Sequence, residues 1–349
     1  MLRKAKIILK SGKKYLSYKI RRPSPFSCTF YLNYGCNLSC VYCPFARKTK
    51  IEDFEKEKKN KFEVSTKEAK YIIDQLDKAG ITVLSLTGGE PLLRDDLEEI
   101  AFYAKKKNIL TVLHTNATLI TKERAENIGK AFDSVVVSLA GRPETNDRLR
   151  GKDNFRKVMD GAELLRKTPI NVKINLNCLI DKESFNDIDY VFNFAKEKFD
   201  SIAFLPIEYF PERFLNKETA CQIERKIMKL KKENSNFITN PESHINLFSK
   251  HLSGEKHKIE CDAFKLYISV SPKGDLGGCS MYPYSVGNLF GEDIKQLIEK
   301  GIKNREELFS RCGGCLGTIR VSLLFRQPIY KNIPVVKNIA PKLGLIWRK

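Results

Sequence analysis

The chain has little that would carry it into or across a membrane. No apolar run approaches the roughly 18 residues of a spanning helix. The N-terminus, MLRKAKIILKSGKK, starts basic but has too short an apolar stretch for a signal peptide. These absences point to the cytosol, where thiols stay reduced, so the ten cysteines are not needed as disulfides. Acid is also short: 42 Asp and Glu stand against 62 Lys and Arg, a net charge of +20. That imbalance predicts attraction to something anionic, whether nucleic acid, a lipid surface or an acidic substrate. Dense interleaving of basic and aromatic residues is missing, so no specific nucleic acid is expected. A Lys- and Glu-rich, Gln-poor surface also fits an archaeal or thermophilic source. There is no short tandem repeat, which excludes a solenoid, and only one tryptophan, Trp347.

What is present reads as a soluble globular protein, 42% hydrophobic and 30% charged. Its 349 residues allow one large domain with a smaller one. Residues 1–27 read as a basic, irregular lead. From Cys28, short apolar runs at 28–34, 82–88, 109–115, 134–140, 171–180 and 201–209 alternate with helical patterns at 65–78, 95–107, 121–132, 154–167 and 185–199. Strands that are apolar almost throughout, alternating with helices, predict a parallel sheet covered by helices. An open βα barrel and a doubly wound sheet both fit. Residues 48–61 read as a solvated charged excursion. The spacing predicts a connecting amphipathic helix over 217–234 within a helical region, 213–254. A hairpin over 265–280 and a helix over 292–302 then form a smaller α+β unit, 255–325. The tail, 326–349, is basic and apolar.

Two cysteine groups carry the chemistry. Cys36, Cys40 and Cys43 sit in YGCNLSCVYCP, directly after the first strand, where βα folds place their sites. Soft thiolates select zinc or iron–sulfur clusters. Three thiolates leave a fourth ligand position open; a zinc knuckle closed by a distant ligand is the competing reading. Cys261, Cys279, Cys312 and Cys315 form a second set whose four thiolates can close a site, with structural zinc again the rival. Cys28, Cys178 and Cys221 fit neither set and read as small buried apolar residues.

The triplet, with Tyr42 before its last cysteine, resembles the cluster loop of the radical S-adenosylmethionine (radical SAM) enzymes. Gly88-Gly89-Glu90-Pro91 at the end of the second strand resembles that family's glycine–glycine–glutamate motif. Ser138 in SLAGRPETNDRLRG resembles its serine–leucine–aspartate–glycine segment, with Ala140 in the aspartate position. The likeness spans residues 28–209. It implies a partial (β/α)6 TIM-like barrel over 28–212, and a [4Fe–4S] cluster held by Cys36, Cys40 and Cys43. The cluster's open iron then chelates S-adenosylmethionine. An electron splits that cofactor, and the 5′-deoxyadenosyl radical removes a substrate hydrogen. A low-potential electron donor of ferredoxin or flavodoxin type is implied. Tyr42, Gly88, Gly89, Glu90, Thr115, Asn116, Ser138, Arg150, Asn175 and Pro206 are the expected cofactor-pocket positions. The glycines would admit the cofactor's methionine part and Glu90 would meet its ammonium. Asn177 and Leu205 are neighbours of the last two. His114 reads as a core or supporting residue, and Arg150 as either a carboxylate ligand or a packing arginine.

The segment from Cys261 through Val286-Gly287-Asn288-Leu289 to Cys312-Gly-Gly-Cys315 resembles the extensions called SPASM or twitch. That likeness implies one auxiliary [4Fe–4S] cluster. For the substrate, a lipid chain or a peptide is favoured. Residues 329–349 either lie on an anionic membrane surface or pack on the barrel. The short lead before the barrel disfavours peptide recognition. A ribosomal-peptide, cofactor or tetrapyrrole maturase is the alternative, and a non-enzymatic zinc or nucleic-acid binder the outsider.

Overall fold

The computed structural model describes residues 2–19, 24–43, 63–208, 210–255, 261–279, 285–308, 312, 315–316 and 323. In chain order the elements are α1 (Leu2–Lys19), β1 (Ser27–Tyr31), α2 (Thr66–Lys78), β2 (Val83–Thr87), α3 (Leu97–Lys106), β3 (Leu110–Thr115), α4 (Lys122–Ala131), β4 (Ser134–Leu139), α5 (Pro143–Arg150), α6 (Asn154–Lys167), β5 (Lys173–Ile180), α7 (Ile188–Lys198), β6 (Ser201–Pro206), α8 (Lys217–Glu233), α9 (Glu242–Ile245), α10 (Phe248–Leu252), β7 (Tyr267–Val270), β8 (Asp275–Gly277), β9 (Ser285–Asn288), α11 (Ile294–Lys303) and α12 (Arg305–Leu308). One nine-stranded sheet runs β6-β5-β4-β3-β2-β1-β7-β8-β9. It does not close, as a partial barrel requires. Strands β1 to β6 are parallel to their neighbours.

The alternation along β5 shows how the layers are made. Ile174, Leu176, Cys178 and Ile180 are buried, and Lys173, Asn175, Asn177 and Leu179 are only half-buried. Successive side chains on a strand face opposite ways, so one row packs under the helices and the other lines the concave face. Ser65 and Glu68 form a capping box at the start of α2, a contact typically worth about 1 kcal/mol.

Two parts of the fold depart from the sequence reading. The lead is not irregular. Its helix α1 lies across the amino-terminal edge of the strands. Arg3 donates to both carboxylate oxygens of Asp133, at 2.7 and 2.8 Å, and to the Ile109 carbonyl at 2.7 Å. Ser11 reaches Thr82 and Lys14 reaches the Ala79 carbonyl. These partners stand just before β2, β3 and β4, so Arg3 and Lys14 close the barrel floor, while Lys6 and Lys13 on the same helix stay exposed. Burial pushes the Asp133 carboxyl up, but the Arg3 bonds outweigh this and hold it below the usual range. The cysteine-bearing extension also shares the main sheet. Strand β7 pairs parallel with β1, Thr29 opposite Ser269, and the hairpin β7–β8 turns at Gly274, whose φ is +84°. Among the described residues no helix is long and apolar enough to cross a membrane. The charged excursion 48–61 and the tail 326–349 lie outside the described residues.

Candidate active site

The loop carrying Cys36, Cys40 and Cys43 is built against the turn that follows β2. Leu32 N–H donates to the Thr87 carbonyl at 2.8 Å, Gly89 N–H to the Asn33 carbonyl at 3.0 Å, and Glu90 N–H to the Gly35 carbonyl at 2.7 Å. The Asn33 side chain returns a bond to the Glu90 carbonyl at 2.8 Å. This contact explains the paired glycines. A Cβ on Gly88 would stand 2.1 Å from Asn33 Oδ1, and one on Gly89 would stand 2.2 Å from the Gly35 carbonyl oxygen. Side chains are therefore excluded at both positions by the cysteine loop itself, before any cofactor is considered.

Glu90 is wholly buried. Its Oε1 accepts from Thr115 Oγ1 at 2.6 Å and from Leu92 N–H at 3.0 Å, and its Oε2 accepts from Asn116 N–H at 2.7 Å. Burial pushes the carboxyl up, and these donors oppose that shift. The first task of the side chain is thus internal: it ties the turn after β2 to the end of β3. With three donors on two oxygens, a carboxylate keeps capacity for one more.

From that same end of β3, Asn116 Nδ2 donates to Asn37 Oδ1 at 2.8 Å and lies 3.9 Å from Cys36 Sγ. Asn37 Nδ2 in turn donates to Thr118 Oγ1 at 2.9 Å. Leu38 N–H points at Cys36 Sγ from 3.4 Å. The other half of the loop docks on α5. Val41 N–H donates to the Leu149 carbonyl at 3.0 Å, and Cys43 N–H to the Cys40 carbonyl at 3.0 Å. Arg150 Nη1 donates to Tyr42 Oη at 2.9 Å. Arg150 is 7% exposed, and its Nε has no hydrogen-bond partner among the described residues. Its charge is felt by Cys40 and Glu90. Burial raises the Cys40 thiol, and the guanidinium works against that rise.

The structure therefore brings Tyr42, Gly88, Gly89, Glu90, Thr115, Asn116 and Arg150 around the three cysteines. Ser138 stands opposite Asn177 on the half-buried row of β4 and β5. Two expected positions fall elsewhere. Asn175 donates to Ser134 Oγ and accepts from Ser201 Oγ, both at 2.6 Å. Those serines begin β4 and β6, so Asn175 belongs to the floor. Pro206 is buried opposite Ile180, while Leu205 shares the half-buried row with Leu179. Alternation along the strand puts Leu205, not Pro206, on the concave side. His114 is half-buried at the end of β3, on the face opposite Thr115. Asn33, Asn37 and Thr118 escaped the sequence reading; the asparagine directly after Cys36 was the available signal.

Tyr267 stands beside Cys261 of the second cysteine set. Its hydroxyl is 2.9 Å from Cys261 Sγ, and it interacts electrostatically with Cys261, Cys315 and Cys279. Cys312 and Cys315 also act on the Cys261 thiol, which burial raises. Cys28 and Cys178 are buried as expected, and burial lifts the Cys178 thiol to about 12. Cys221 is half-buried on α8. Among the described residues no three His, Cys, Asp or Glu side chains are gathered tightly around one point. The fit of an iron–sulfur group therefore rests on donor chemistry. At the first site that chemistry is favourable: three thiols, amide N–H groups directed at Cys36 and a buried guanidinium suit an anionic cluster.

The radical SAM superfamily pattern matches residues 30–195. Fe-coproporphyrin III synthase of Methanosarcina barkeri is 31% identical over 322 residues, covering 80% of this chain and 78% of that protein. AdoMet-dependent heme synthase of the same organism is 29% identical over 315 residues, covering 81% and 86%. Among solved structures, Streptococcus suis SuiB bound to S-adenosylmethionine has a TM-score of 0.64 at 18% identity, covering 89% of this chain and 76% of that one.

Proposed function

The chain belongs to the radical SAM superfamily, and from that membership we propose that it acts on a tetrapyrrole bearing carboxylate side chains. As a radical SAM enzyme it binds a [4Fe–4S] cluster and S-adenosylmethionine and needs an external reductant. With an electron from that reductant, these groups would supply hydrogen-atom abstraction from an unactivated carbon. The protein's part is binding and orientation. Cys36, Cys40 and Cys43 hold the cluster. The turn at Gly88-Gly89-Glu90 and the end of β3 fix the loop that carries them. Arg150 offsets the negative charge gathered there. Ser138 and Asn177, on the concave row of β4 and β5, are candidate contacts for the nucleoside or the substrate.

One observation carries the substrate reading. Two relatives that align with about four fifths of this chain are named for heme and Fe-coproporphyrin III. The net charge of +20 suits a polycarboxylate. The weight thereby moves from a lipid chain or peptide to the tetrapyrrole alternative. We further infer that Cys261, Cys279, Cys312 and Cys315 hold one auxiliary [4Fe–4S] cluster, and that the reductant is of ferredoxin or flavodoxin type. The test is anaerobic incubation with dithionite, S-adenosylmethionine and Fe-coproporphyrin III, in parallel with a peptide pool and with lipid vesicles. The reading requires substrate-dependent release of 5′-deoxyadenosine and a mass change in the tetrapyrrole alone. Turnover confined to the peptide or lipid arm overturns it.

A further inference from the structure

Beyond the β7–β1 pairing, the second cysteine set meets the end of the barrel at Leu316, directly after Cys315. Leu316 is wholly buried. Its N–H donates to Glu208 Oε1 at 2.8 Å, and its carbonyl meets His244 Nε2 at 2.8 Å. Both backbone groups of this residue are thus satisfied by side chains rather than by a strand or helix. Glu208 comes just past β6, and His244 lies in the short helix α9.

The two clamp residues are themselves oriented. Asn240 Oδ1 accepts from Phe204 N–H at 2.9 Å, and Asn240 Nδ2 donates to the Phe204 carbonyl at 2.8 Å. This fixes which end of the amide faces His244. The Nδ2 group then lies 3.1 Å from His244 Nδ1. An amide donor there requires Nδ1 to be the acceptor, so the imidazole proton sits on Nε2 and is given to Leu316. Phe248 packs edge-on against the same ring with centroids 5.1 Å apart. On the other side, Glu208 Oε2 is 3.3 Å from His251 Nε2. A hydrogen-bonded path thus runs from β6 through Asn240 and His244 to Leu316, and Glu208 brings the chain back to the end of β6.

We propose that His244 and Glu208 are positioning residues for the auxiliary site: by clamping Leu316 they hold Cys315 at the barrel rim. This inference rests on the auxiliary-cluster reading. Its physical reason is that a loop ligand pair binds a group well only when its backbone is already held. Leu316 supplies that anchor one residue from a ligand.

The experiment compares the full chain with His244→Phe, His244→Gln and Glu208→Ala. Phenylalanine keeps the ring and its contact with Phe248 but has no proton to give. Glutamine keeps a donor and an acceptor. In metal-free protein, alkylation of Cys315, read by peptide mass spectrometry, should rise roughly fivefold in His244→Phe and in Glu208→Ala, the effect of losing one buried hydrogen bond. Glutamine should restore much of the protection. After anaerobic reconstitution, iron should fall by about four per chain, while the cluster at Cys36, Cys40 and Cys43 stays. Unchanged alkylation in both disruptive variants overturns the clamp. Should His244→Phe fail to fold, Glu208→Ala at the rim decides the question alone. A wild-type chain holding only about four irons overturns the auxiliary-cluster reading instead, and the alkylation rates still decide whether the clamp holds Cys315.

Discussion

Replacing Gly89 by alanine tests how the cysteine loop is held. The new methyl group would lie 2.2 Å from the Gly35 carbonyl oxygen, 2.5 Å from the Gly35 carbonyl carbon and 2.5 Å from the Tyr34 carbonyl oxygen. All three atoms are backbone, so no side chain can swing aside. The loop must retreat, and two bonds are stretched as it does: Gly89 N–H to Asn33 and Glu90 N–H to Gly35, at 3.0 and 2.7 Å. Each is worth about 0.5–1.5 kcal/mol net, and overpacking adds about 1–3 kcal/mol. The sum is about 2–6 kcal/mol, a large share of the stability of a typical domain. The damage falls on the segment between β1 and Cys36, so iron binding suffers as well as melting. Gly291→Ala is the control, since a Cβ there meets no atom of the described residues within 4 Å. Iron and sulfide per chain after reconstitution, with thermal melting of the metal-free protein, measure both effects. Equal iron and equal melting temperature in the two variants would refute the argument that the glycines exist to admit the loop.

Other perturbations reach different parts of the same construction. Cys40→Ala should abolish release of 5′-deoxyadenosine, measured by chromatography under reducing anaerobic conditions, while the metal-free chain melts nearly as before. Glu90→Gln turns an amide N–H2 toward a backbone or hydroxyl donor and should cost about 1–3 kcal/mol; a fall in melting temperature together with weaker iron retention would show it. Arg3→Ala should lower the melting temperature at neutral pH by releasing α1 from the barrel floor. Asp133 is depressed in the folded state, so its stabilisation is complete above the ordinary aspartate pKa of about 3.9 and is lost as pH falls through the lower folded value. Melting curves of wild type and Arg3→Ala should therefore converge toward acid pH.

The barrel was legible because its strands are apolar almost end to end and the intervening helices carry an apolar stripe. What hid was structure held by polar contacts. Helix α1 looked like an unstructured basic lead because Arg3, Ser11 and Lys14 find their partners at the barrel floor, more than sixty positions away for most of them. Helix α5, PETNDRLR, has a single apolar residue and so no helical periodicity to read. Yet its last turn presents Leu149 and Arg150 to the cysteine loop. The pairing of β7 with β1 was equally unreadable, since four buried residues carry no mark of their partner. At the site, the motif glycines were recognised, but their nearest neighbour is the cysteine loop. Asn175 and Pro206 were misplaced by register: one sits a layer too low, the other on the wrong face.

The loop is gripped from three directions by segments far apart in sequence. The turn after β2 holds its start, Asn116 at the end of β3 holds Cys36 and Asn37, and α5 holds Val41 and Tyr42. Such a loop has little freedom left to lose when a cluster binds. The same enclosure creates an electrostatic difficulty. Three thiolates beside the Glu90 carboxylate would put four negative charges against one buried guanidinium. Burial answers it by pushing the Cys40 thiol and the Glu90 carboxyl toward their neutral forms, while an arginine keeps its charge under these conditions. The metal-free site therefore need not carry the full negative charge. Cluster loading must then release protons, because only thiolates ligate iron. Arg150, buried against Tyr42, is placed to offset part of that anionic charge at a site where Cys36 itself stays exposed. That role follows from its position between Tyr42, Cys40 and Glu90, whether or not it also meets a cofactor carboxylate.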